Sequence, residues 1–443
     1  MRFHRTPEPR MSRRIQLFFL FGLLQSAALL QGEQKPADGF DIFGTKKLNK
    51  FDRHFTLIGS EKTKPIFDGK SFAGWTQRGG KARYVVKNET VVGTTVKGTD
   101  NSFMCTEREY GDFTLDLDVN ADKGLNSGVQ IRSRAFEKET TYPFGNKVLK
   151  IPAGRVHGYQ VEVDHRPERR WSGGIYEEAR RDWLNPIETN SPASQAFKFG
   201  GWNHYHVECV GDSIKTWVND VPAADLVDSE TLSGFIGLQV HNSDTSGLKV
   251  RFRNIRLADL GGHVWKPLPV RPEFEGAHII GQGDWKLEDG VVHGTHRAAD
   301  PEHGHLVTDQ TVDDFTIRFK FKSVKGNSGF YFRSEEKGSA GISGFQAEVD
   351  PVNDVGGLYE TSGRAWVIKP SADDVKKYFR PQDWNTMTVS AHGRRIVVHV
   401  NGYKSAELLN DSGRTEGKLA LQLHGGQDVE VYFKDFEMLA KAE

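Results

Sequence analysis

The chain has few cysteines, no excess charge of either sign and no long apolar run beyond its N-terminal segment. Only Cys105 and Cys209 occur among 443 residues, which excludes a disulfide-rich scaffold and leaves a single bridge open. Lys plus Arg and Asp plus Glu both number 59, and this balance argues against nucleic acid or an anionic membrane surface as a partner. No phosphate-binding glycine loop or nucleophile elbow stands out, so no cofactor is evident.

The first residues have the pattern of an export signal. Two arginines precede the apolar run 15–30, and small residues at 26–28 offer a cleavage site. Because the run is short for a membrane span, we expect an exported protein, periplasmic or secreted, with no span once the signal peptide 1–32 is removed. An uncleaved anchor is the alternative, and Met11 is a second candidate start. Residues 33–64 are polar without a clear period and are predicted to form a tether.

Most of the remaining sequence consists of short runs in which polar and apolar residues alternate. In the stretch 158–164, two valines share one side, while Gln160, Glu162 and Asp164 share the other, as in a half-buried β-strand. The 47 glycines and 28 phenylalanines accompany many short runs of this kind, and no convincing amphipathic helix occurs. The sequence therefore predicts an all-β chain.

The second half of the chain repeats the landmarks of the first half in the same order. Asn-Ser-Gly at 126–128, Gly-Tyr-Gln-Val-Glu-Val-Asp at 158–164 and Gly-Gly-Ile-Tyr-Glu at 173–177 return near residues 327, 344 and 356. The period is domain-sized, so it indicates a tandem pair rather than a solenoid. We predict two jelly-roll β-sandwich domains of the concanavalin-like type, covering 65–260 and 263–443, with the join near Gly261-Gly262.

Polar side chains on the outward faces of the predicted strands repeat between the two copies and predict a groove. In the first copy they are Gln130, Arg132, Gln160, Glu162, Asp164, Gln239 and His241, with Tyr176, Glu177 and Arg181 at the rim. In the second copy they are Arg333, Gln346, Glu348, Asp350, Tyr359, Glu360, Arg364, Gln422 and His424. Amides, carboxylates and arginines hydrogen-bond sugar hydroxyls, so we expect a carbohydrate or glycoside partner. A solvated sheet face whose ion pairs serve folding is the alternative.

The ordered series of motifs resembles the 3-keto-disaccharide hydrolase domain family of exported bacterial proteins. The motifs are those named above together with Trp-Asn at 202–203, Gly-Leu-Gln-Val-His at 237–241 and Phe-Arg-Asn-Ile-Arg at 252–256. The resemblance covers roughly 65–258 and, more loosely, 265–439. Many members carry Glu and Gln in the central strand in the order opposite to Gln160 and Glu162.

The resemblance implies cleavage of a glycoside that is already oxidised at the third carbon of its sugar. A base removes the acidified proton beside the ketone, the group on the anomeric carbon leaves by β-elimination, and water adds. On this reading Glu162 or Asp164 is the base, Arg132 stabilises the enolate and His241 binds or protonates the leaving group. The polar residues of both outward faces would bind substrate.

Two other functions stay open at this point. The segment from Glu162 through Asp164 to Glu168 has the Glu-x-Asp-x-x-x-Glu spacing of laminarinase-like retaining glycosidases, although Pro167 ends the strand before the second acid. A pair of non-catalytic carbohydrate-binding modules would use the same amides and carboxylates. Release of reducing ends from an unoxidised β-glucan would favour the first function, and binding without cleavage would favour the second.

A divalent metal is possible but is not indicated by spacing. His204 and His206 alternate on one predicted strand, where two ligands would share a face, yet no third ligand is evident nearby and the second copy has threonines there. An exposed strand face is the simpler interpretation. Glu162, Asp164 and His241 are the other residues that could hold such an ion.

Overall fold

Two β-sandwiches follow one another along residues 62–443, which are the residues that the computed structural model describes. The predicted signal peptide, 1–32, and residues 33–61 of the predicted tether lie outside the described residues. The all-β prediction is confirmed, because the only helical pieces in 62–443 are short: α1 at Pro192–Ala196, α2 at Ala372–Tyr378 and a 3₁₀ turn at Pro272–Phe274. None of these described helices has the length and apolar character needed to cross a membrane.

The first sandwich contains two large antiparallel sheets and a separate two-stranded hairpin. Its strands are β1 (Lys64–Pro65), β2 (Trp75–Gly79), β3 (Arg83–Lys87), β4 (Thr90–Thr94), β5 (Ser102–Thr106), β6 (Asp112–Ala121), β7 (Ser127–Arg134), β8 (Thr140–Phe144), β9 (Lys147–Ile151), β10 (His157–Val163), β11 (Ile175–Glu178), β12 (Asp182–Asn185), β13 (Asn203–Val210), β14 (Ser213–Val218), β15 (Val221–Val227), β16 (Phe235–Val240) and β17 (Lys249–Gly261). One sheet has the order β12-β11-β10-β7-β16-β5-β2, and we call it the first groove sheet. The other has the order β15-β14-β13-β6-β17-β4-β3, with β1 paired to β17, and we call it the first back sheet.

The second sandwich has the same architecture. Its strands are β18 (His263–Pro267), β19 (Ala277–Gly281), β20 (Asp284–Glu288), β21 (Val291–His296), β22 (Gly304–Val312), β23 (Phe315–Lys325), β24 (Ser328–Lys337), β25 (Gly341–Val349), β26 (Leu358–Thr361), β27 (Ala365–Ile368), β28 (Asn385–His392), β29 (Arg395–Val400), β30 (Tyr403–Leu408), β31 (Gly417–Leu423) and β32 (Val429–Lys441). The order β19-β22-β31-β24-β25-β26-β27 is the second groove sheet. The order β20-β21-β32-β23-β28-β29-β30, with β18 paired to β32, is the second back sheet.

Strict alternation in the long strands builds each core. Along β13, Tyr205, Val207 and Cys209 are fully buried between the sheets, while His204 and His206 face outward. Each sandwich therefore has its own contiguous apolar core. Both cysteines are buried and free, so no bridge joins Cys209 to its only candidate partner.

The hairpin β8–β9 ties the first sandwich to the second. At its tip, the Gly145 backbone N–H donates to the carbonyl of Asn401 at 2.8 Å, and the Arg380 guanidinium donates to the Gly145 carbonyl at 2.6 Å. Elsewhere, Arg395 forms an ion pair with Asp225 at 2.6 Å. These contacts join β-rich elements of both copies within one compact unit.

Candidate active site in the first sandwich

A pocket of about 390 Å³ opens on the outer face of the first groove sheet. Strands β10, β11 and β12 contribute lining residues to it, and loops supply the others. Nearly all of its lining side chains are polar or charged: Asp100, Asn101, Asn126, Arg155, Gln160, Glu162, Arg166, Arg169, Tyr176, Glu178, Trp183, His241 and Asn242. Such a lining suits a small, highly hydroxylated ligand better than an apolar one.

A row of amides forms the floor beneath the central strand. The side-chain oxygen Oε1 of Gln160 accepts hydrogen bonds from Gln130 at 2.8 Å and from Gln239 at 2.9 Å. The side-chain nitrogen Nε2 of Gln160 donates to Glu162 at 2.9 Å. Gly128 lies beside this side chain, where an added Cβ would come within 2.5 Å of it. The row therefore fixes the orientation of Glu162, and Gln130 and Gln239, both fully buried, act beneath the surface that a ligand would touch.

Glu162 is the acidic group at the centre of the pocket. Its carboxylate accepts from Asn126 at 2.6 Å and from Arg169 at 2.9 Å, and 3% of the residue is exposed. Burial raises the pKa of Glu162 to about 7, although Asn126 and Arg169 both act to lower it. A carboxyl group with that pKa can exchange a proton at neutral pH.

Arg169 is held beside Glu162 by Asp164. The Arg169 Nε donates to Asp164 at 2.7 Å, and the Asp164 carboxylate also accepts from the backbone N–H groups of Trp171 and Arg166. Burial acts to raise the pKa of Asp164, but these hydrogen bonds outweigh it and hold the pKa below the usual value. Asp164 is fully buried and does not line the pocket, so it positions the arginine and leaves Glu162 as the acid that a ligand can reach.

A second carboxylate closes the opposite end of the pocket. Glu178 forms an ion pair with Arg155 at 2.5 Å and accepts from Asn101 at 3.4 Å. Burial raises the pKa of Glu178, while Arg155 and His241 act in the opposite direction. His241 lines this end and bonds through Nδ1 to the carbonyl of Asn242 at 2.9 Å.

An aromatic pair forms one wall. Tyr176 and Trp183 pack edge to face with their ring centroids 5.3 Å apart, and the Arg169 guanidinium lies 5.0 Å from the Trp183 ring. The Tyr176 hydroxyl donates to Asp182 at 3.0 Å. Tyr176, which the sequence analysis predicts to bind the ligand, therefore lies in the pocket wall.

The prediction that Arg132 and Arg333 face the grooves is wrong. Both have left-handed backbone angles (φ 44° and 49°), and the strand registers shift there, as in a β-bulge. The bulge turns Arg132 away from the groove, where it donates to the carbonyls of Gly111 and Gly211 and to Asp112. Arg333 is likewise buried, 3.5 Å from Asp314. Neither can touch a ligand in a groove.

The prediction that Glu177 and Arg181 line the rim is also wrong. On β11 the alternation places Tyr176 and Glu178 toward the pocket and turns Glu177 away from it. Glu177 is fully buried and accepts from Arg181 at 2.6 and 2.8 Å, and Arg181 donates in turn to Asp228 at 2.9 Å. These residues form a buried ion cluster that holds the sandwich together.

The second groove sheet keeps the central acid but not its arginine. Gln346 donates to Glu348 at 2.9 Å and to Gln422 at 3.1 Å, and Asn327 also donates to Glu348. Burial raises the pKa of Glu348 to about 8. Asp350 accepts from the backbone of a shorter loop, 351–355, that contains no arginine.

The remaining predicted residues of the second copy have mixed positions. Tyr359 packs against Trp366 at 5.3 Å, which repeats the aromatic pair of the first copy. Glu360 accepts from Arg364, which is exposed and also donates to Asp411 at 2.6 Å, so these residues form an ion cluster rather than a ligand site. His424 packs edge to face against His303, with ring centroids 4.4 Å apart.

Sequence reasoning missed most of the polar and charged groups that the loops bring to the first pocket. Arg169, Arg155, Asn126 and Asn101 come from turns whose direction no alternation reveals. Glu178 had a signal, because it alternates with Tyr176 along β11.

Two other predicted features are now placed. Glu168 is exposed on the turn after Pro167 and does not line the pocket, so the paired acids of a retaining glycosidase are not assembled. His206 bonds to Asp116 at 2.7 Å on the outer face of the first back sheet, as the exposed-face interpretation predicts. Among residues 62–443, no group of three or more His, Cys, Asp or Glu side chains is arranged to hold a metal ion.

Several solved structures resemble this chain at low identity. A candidate glycosyl hydrolase from Parabacteroides distasonis shares 18% identity over 45% of this chain and 94% of its own, with a TM-score of 0.30. A carbohydrate-binding module from Bacillus subtilis shares 17% over 36% and 93%, also at 0.30. A β-1,3-1,4-glucanase from a mouse hindgut metagenome shares 12% over 41% and 99%, again at 0.30. No curated protein matches the chain.

The family comparison covers most of the sequence. The family model described as the 3-keto-alpha-glucoside-1,2-lyase-like domain matches residues 62–258 and again 269–439. Each match falls on one of the two sandwiches. The chain therefore belongs to this family, the 3-keto-disaccharide hydrolase domain family, and carries two tandem copies of its domain.

Proposed function

We propose that the first sandwich cleaves 3-keto-glycosides or 3-keto-disaccharides by β-elimination followed by hydration. The observation that carries the proposal is Glu162 itself, a buried carboxyl with a pKa of about 7 that opens into a polar pocket beside Arg169. A general base is most effective when its pKa lies near the working pH. Family membership supplies the substrate class.

The reaction follows from the acidity of the sugar carbon beside the ketone. Glu162 removes the proton from C2, and the electron pair of that bond forms an enolate whose charge rests on the oxygen at C3. The enolate then expels the group bonded to C1, which breaks the glycosidic C–O bond and leaves a C1=C2 enone. Water adds its oxygen to C1 and a proton returns to C2, so the net change is hydrolysis.

The residues around Glu162 suit the charges that develop in these steps. Arg169 is the cation next to the base. We assign it the role of stabilising the enolate oxygen, which the sequence suggested for Arg132. Gly158 lies opposite Glu178 and four residues before Glu162, roughly 13 Å along the strand. That distance leaves room for about one sugar ring between the two acids, with the leaving group toward Glu178 and His241.

The direct test compares 3-keto-glucosides with their unoxidised parents. We expect the purified mature protein to release the aglycone from the keto form only, because an unoxidised sugar has no acidic proton at C2. Product release is measured by chromatography on matched substrates. Cleavage of the parent glucosides at a comparable rate would contradict the proposal.

A second candidate function applies to the second sandwich. It keeps the amide–acid row and the Tyr359–Trp366 pair. The cation near its central acid is Lys369, which pairs with Asp354 and forms no ion pair with Glu348, and this difference from Arg169 favours saccharide binding without cleavage. Glycan binding by a chain that cleaves neither substrate form would extend this role to both copies. In either case we propose that the protein acts outside the cytoplasm, after removal of residues 1–32.

A further inference from the structure

A second cavity, of about 530 Å³, opens between the first sandwich and the outer face of the second back sheet. Its floor consists of outward residues of three adjacent strands. On β23 and β28, Lys320 lies opposite Thr386 and Arg318 lies opposite Thr388. On β23 and β32, Lys320 lies opposite Lys434. Clefts between domains are common ligand sites, and this one has a cationic floor.

The pairing of Lys320 with Lys434 is unfavourable for folding alone. Like charges directly opposite on neighbouring strands repel each other. The first back sheet has no such conflict, since Asp118 lies opposite both His204 and Arg253 at the equivalent cross-strand row. The second copy has therefore replaced a charge-complementary row by a row that lacks an anion.

The charges around the row leave it incompletely neutralised. Lys320 contacts Asp435 at 2.9 Å, but within residues 62–443 Lys434 has no carboxylate within 4.0 Å. Arg380 directs two donors at one backbone carbonyl, that of Gly145. Of the five Arg and Lys side chains in the lining, Arg181 pairs with Glu177 and Asp228, Arg318 with Glu437 and Lys320 with Asp435. Lys434, which lies opposite Lys320, is therefore the floor cation that no carboxylate of residues 62–443 neutralises.

Trp384, Thr386 and Thr388 provide groups that can bind a sugar. The Trp384 ring lies at the edge of the same cavity with the Lys434 ammonium 4.4 Å from its centroid. Aromatic rings pack against the apolar face of a sugar, and the Thr386 and Thr388 hydroxyls can donate to or accept from its hydroxyl groups. An oxyanion, whether a carboxylate or a sulfate, would accept charge-assisted hydrogen bonds from Lys320 and Lys434.

We propose that this cavity binds a saccharide that carries an oxyanion, either a carboxylate or a sulfate. The anion lies between Lys320 and Lys434, and the sugar ring lies against Trp384. The sugar part of the proposal rests on the proposed carbohydrate function, whereas the anion part rests on the lysine row alone. The site is distinct from the pocket at Glu162, which lies on the other sheet of the other sandwich.

Calorimetric titration of the full mature chain tests the proposal with four probes at matched salt: trigalacturonate, a sulfated disaccharide, cellotriose and inorganic phosphate. We expect at least one anionic saccharide to bind ten-fold or more tightly than neutral cellotriose, and its affinity to fall as salt screens the lysines. Comparison of the affinities for trigalacturonate and for the sulfated disaccharide shows whether the site prefers a carboxylate or a sulfate. Equal affinity for the neutral probe, or equally tight binding of inorganic phosphate alone, would overturn the proposal.

A double variant, Lys320→Met with Lys434→Met, locates the binding. We expect it to weaken binding of the anionic probe at least ten-fold. Lys286 is an exposed lysine on strand β20 of the same sheet, and we expect Lys286→Met to leave binding unchanged. Thermal melting separates a folding defect from a binding defect, because removal of two facing cations is expected to keep or raise the melting temperature. Unchanged binding by a folded double variant would contradict the site. Turnover of a neutral 3-keto-glucoside, measured on the same samples, reports the proposed function separately.

Discussion

Glu162→Gln is expected to lower turnover of 3-keto-glucosides by roughly 10³-fold, the range of a positioned general base. Glutamine cannot accept the proton from C2, yet it has nearly the same size as the acid it replaces. Steady-state kinetics on the purified variant measures the loss, and its thermal melt checks the fold. The matched control is Glu348→Gln, the equivalent position of the second copy, which lacks an adjacent arginine. We expect the control to retain full activity.

The pH dependence of the unsubstituted enzyme tests the assignment of Glu162 as the base independently. Because the base acts only when ionised and the pKa of Glu162 is raised to about 7, kcat/KM should rise with pH and level off above about pH 7. A carboxyl at its ordinary pKa would already give a flat profile above about pH 5.5. A flat profile from pH 5.5 to 8, or an active Glu162→Gln enzyme, would remove Glu162 from the role of base.

Arg181→Met is expected to destabilise the protein by about 3–5 kcal/mol, the cost of breaking a buried ion pair by removal of one partner. Arg181 is 1% exposed at its side chain and donates to both carboxylate oxygens of Glu177 and of Asp228, and also to the carbonyl of Gly402 in the second sandwich. Its loss removes the arginine that pairs with the buried Asp228 and leaves Glu177 with Arg180 alone. Denaturant unfolding followed by fluorescence measures the change.

The second copy offers the control for this variant. Arg364 pairs with Glu360 and Asp411 in the same arrangement, but 46% of its side chain is exposed. Water and salt screen the exposed guanidinium, and the buried Asp411 keeps the hydrogen bond from the Gly413 backbone N–H, so Arg364→Met should cost about 1–2 kcal/mol, less than Arg181→Met. If the two variants destabilise the protein equally, burial is not what makes the Arg181 cluster important.

Strand alternation and internal repetition were enough to predict the architecture. The spacing of Val161 and Val163 predicted a core-facing side of β10, and both valines are buried in the first sandwich. The recurrence of the motif at Gly344 predicted a second copy, which the family match from 269 to 439 confirms. Period-two patterns of this length leave little freedom to the backbone.

Bulges and loops explain what the sequence did not predict. A single extra residue at Arg132 reverses the side on which the chain places its side chain, and no residue pattern in the stretch announces that reversal. Arg169 reaches Glu162 from the eleven-residue segment 164–174 after Val163, whose path is set by the bonds to Asp164. An arginine in a loop has no period from which its direction could be read. Glu178 was within reach, since it shares the face of Tyr176.

The measurement that tests the central claim most directly is turnover of a 3-keto-glucoside in deuterium oxide, with mass-spectrometric analysis of the released sugar at early times. Elimination followed by hydration takes a proton from C2 and returns one from solvent, so the product should carry one deuterium at C2. Substrate incubated with the Glu162→Gln variant corrects for spontaneous exchange. A released sugar that keeps its original hydrogen at C2 would show that the glycosidic bond breaks by direct displacement, and it would contradict the assignment of Glu162 as the base.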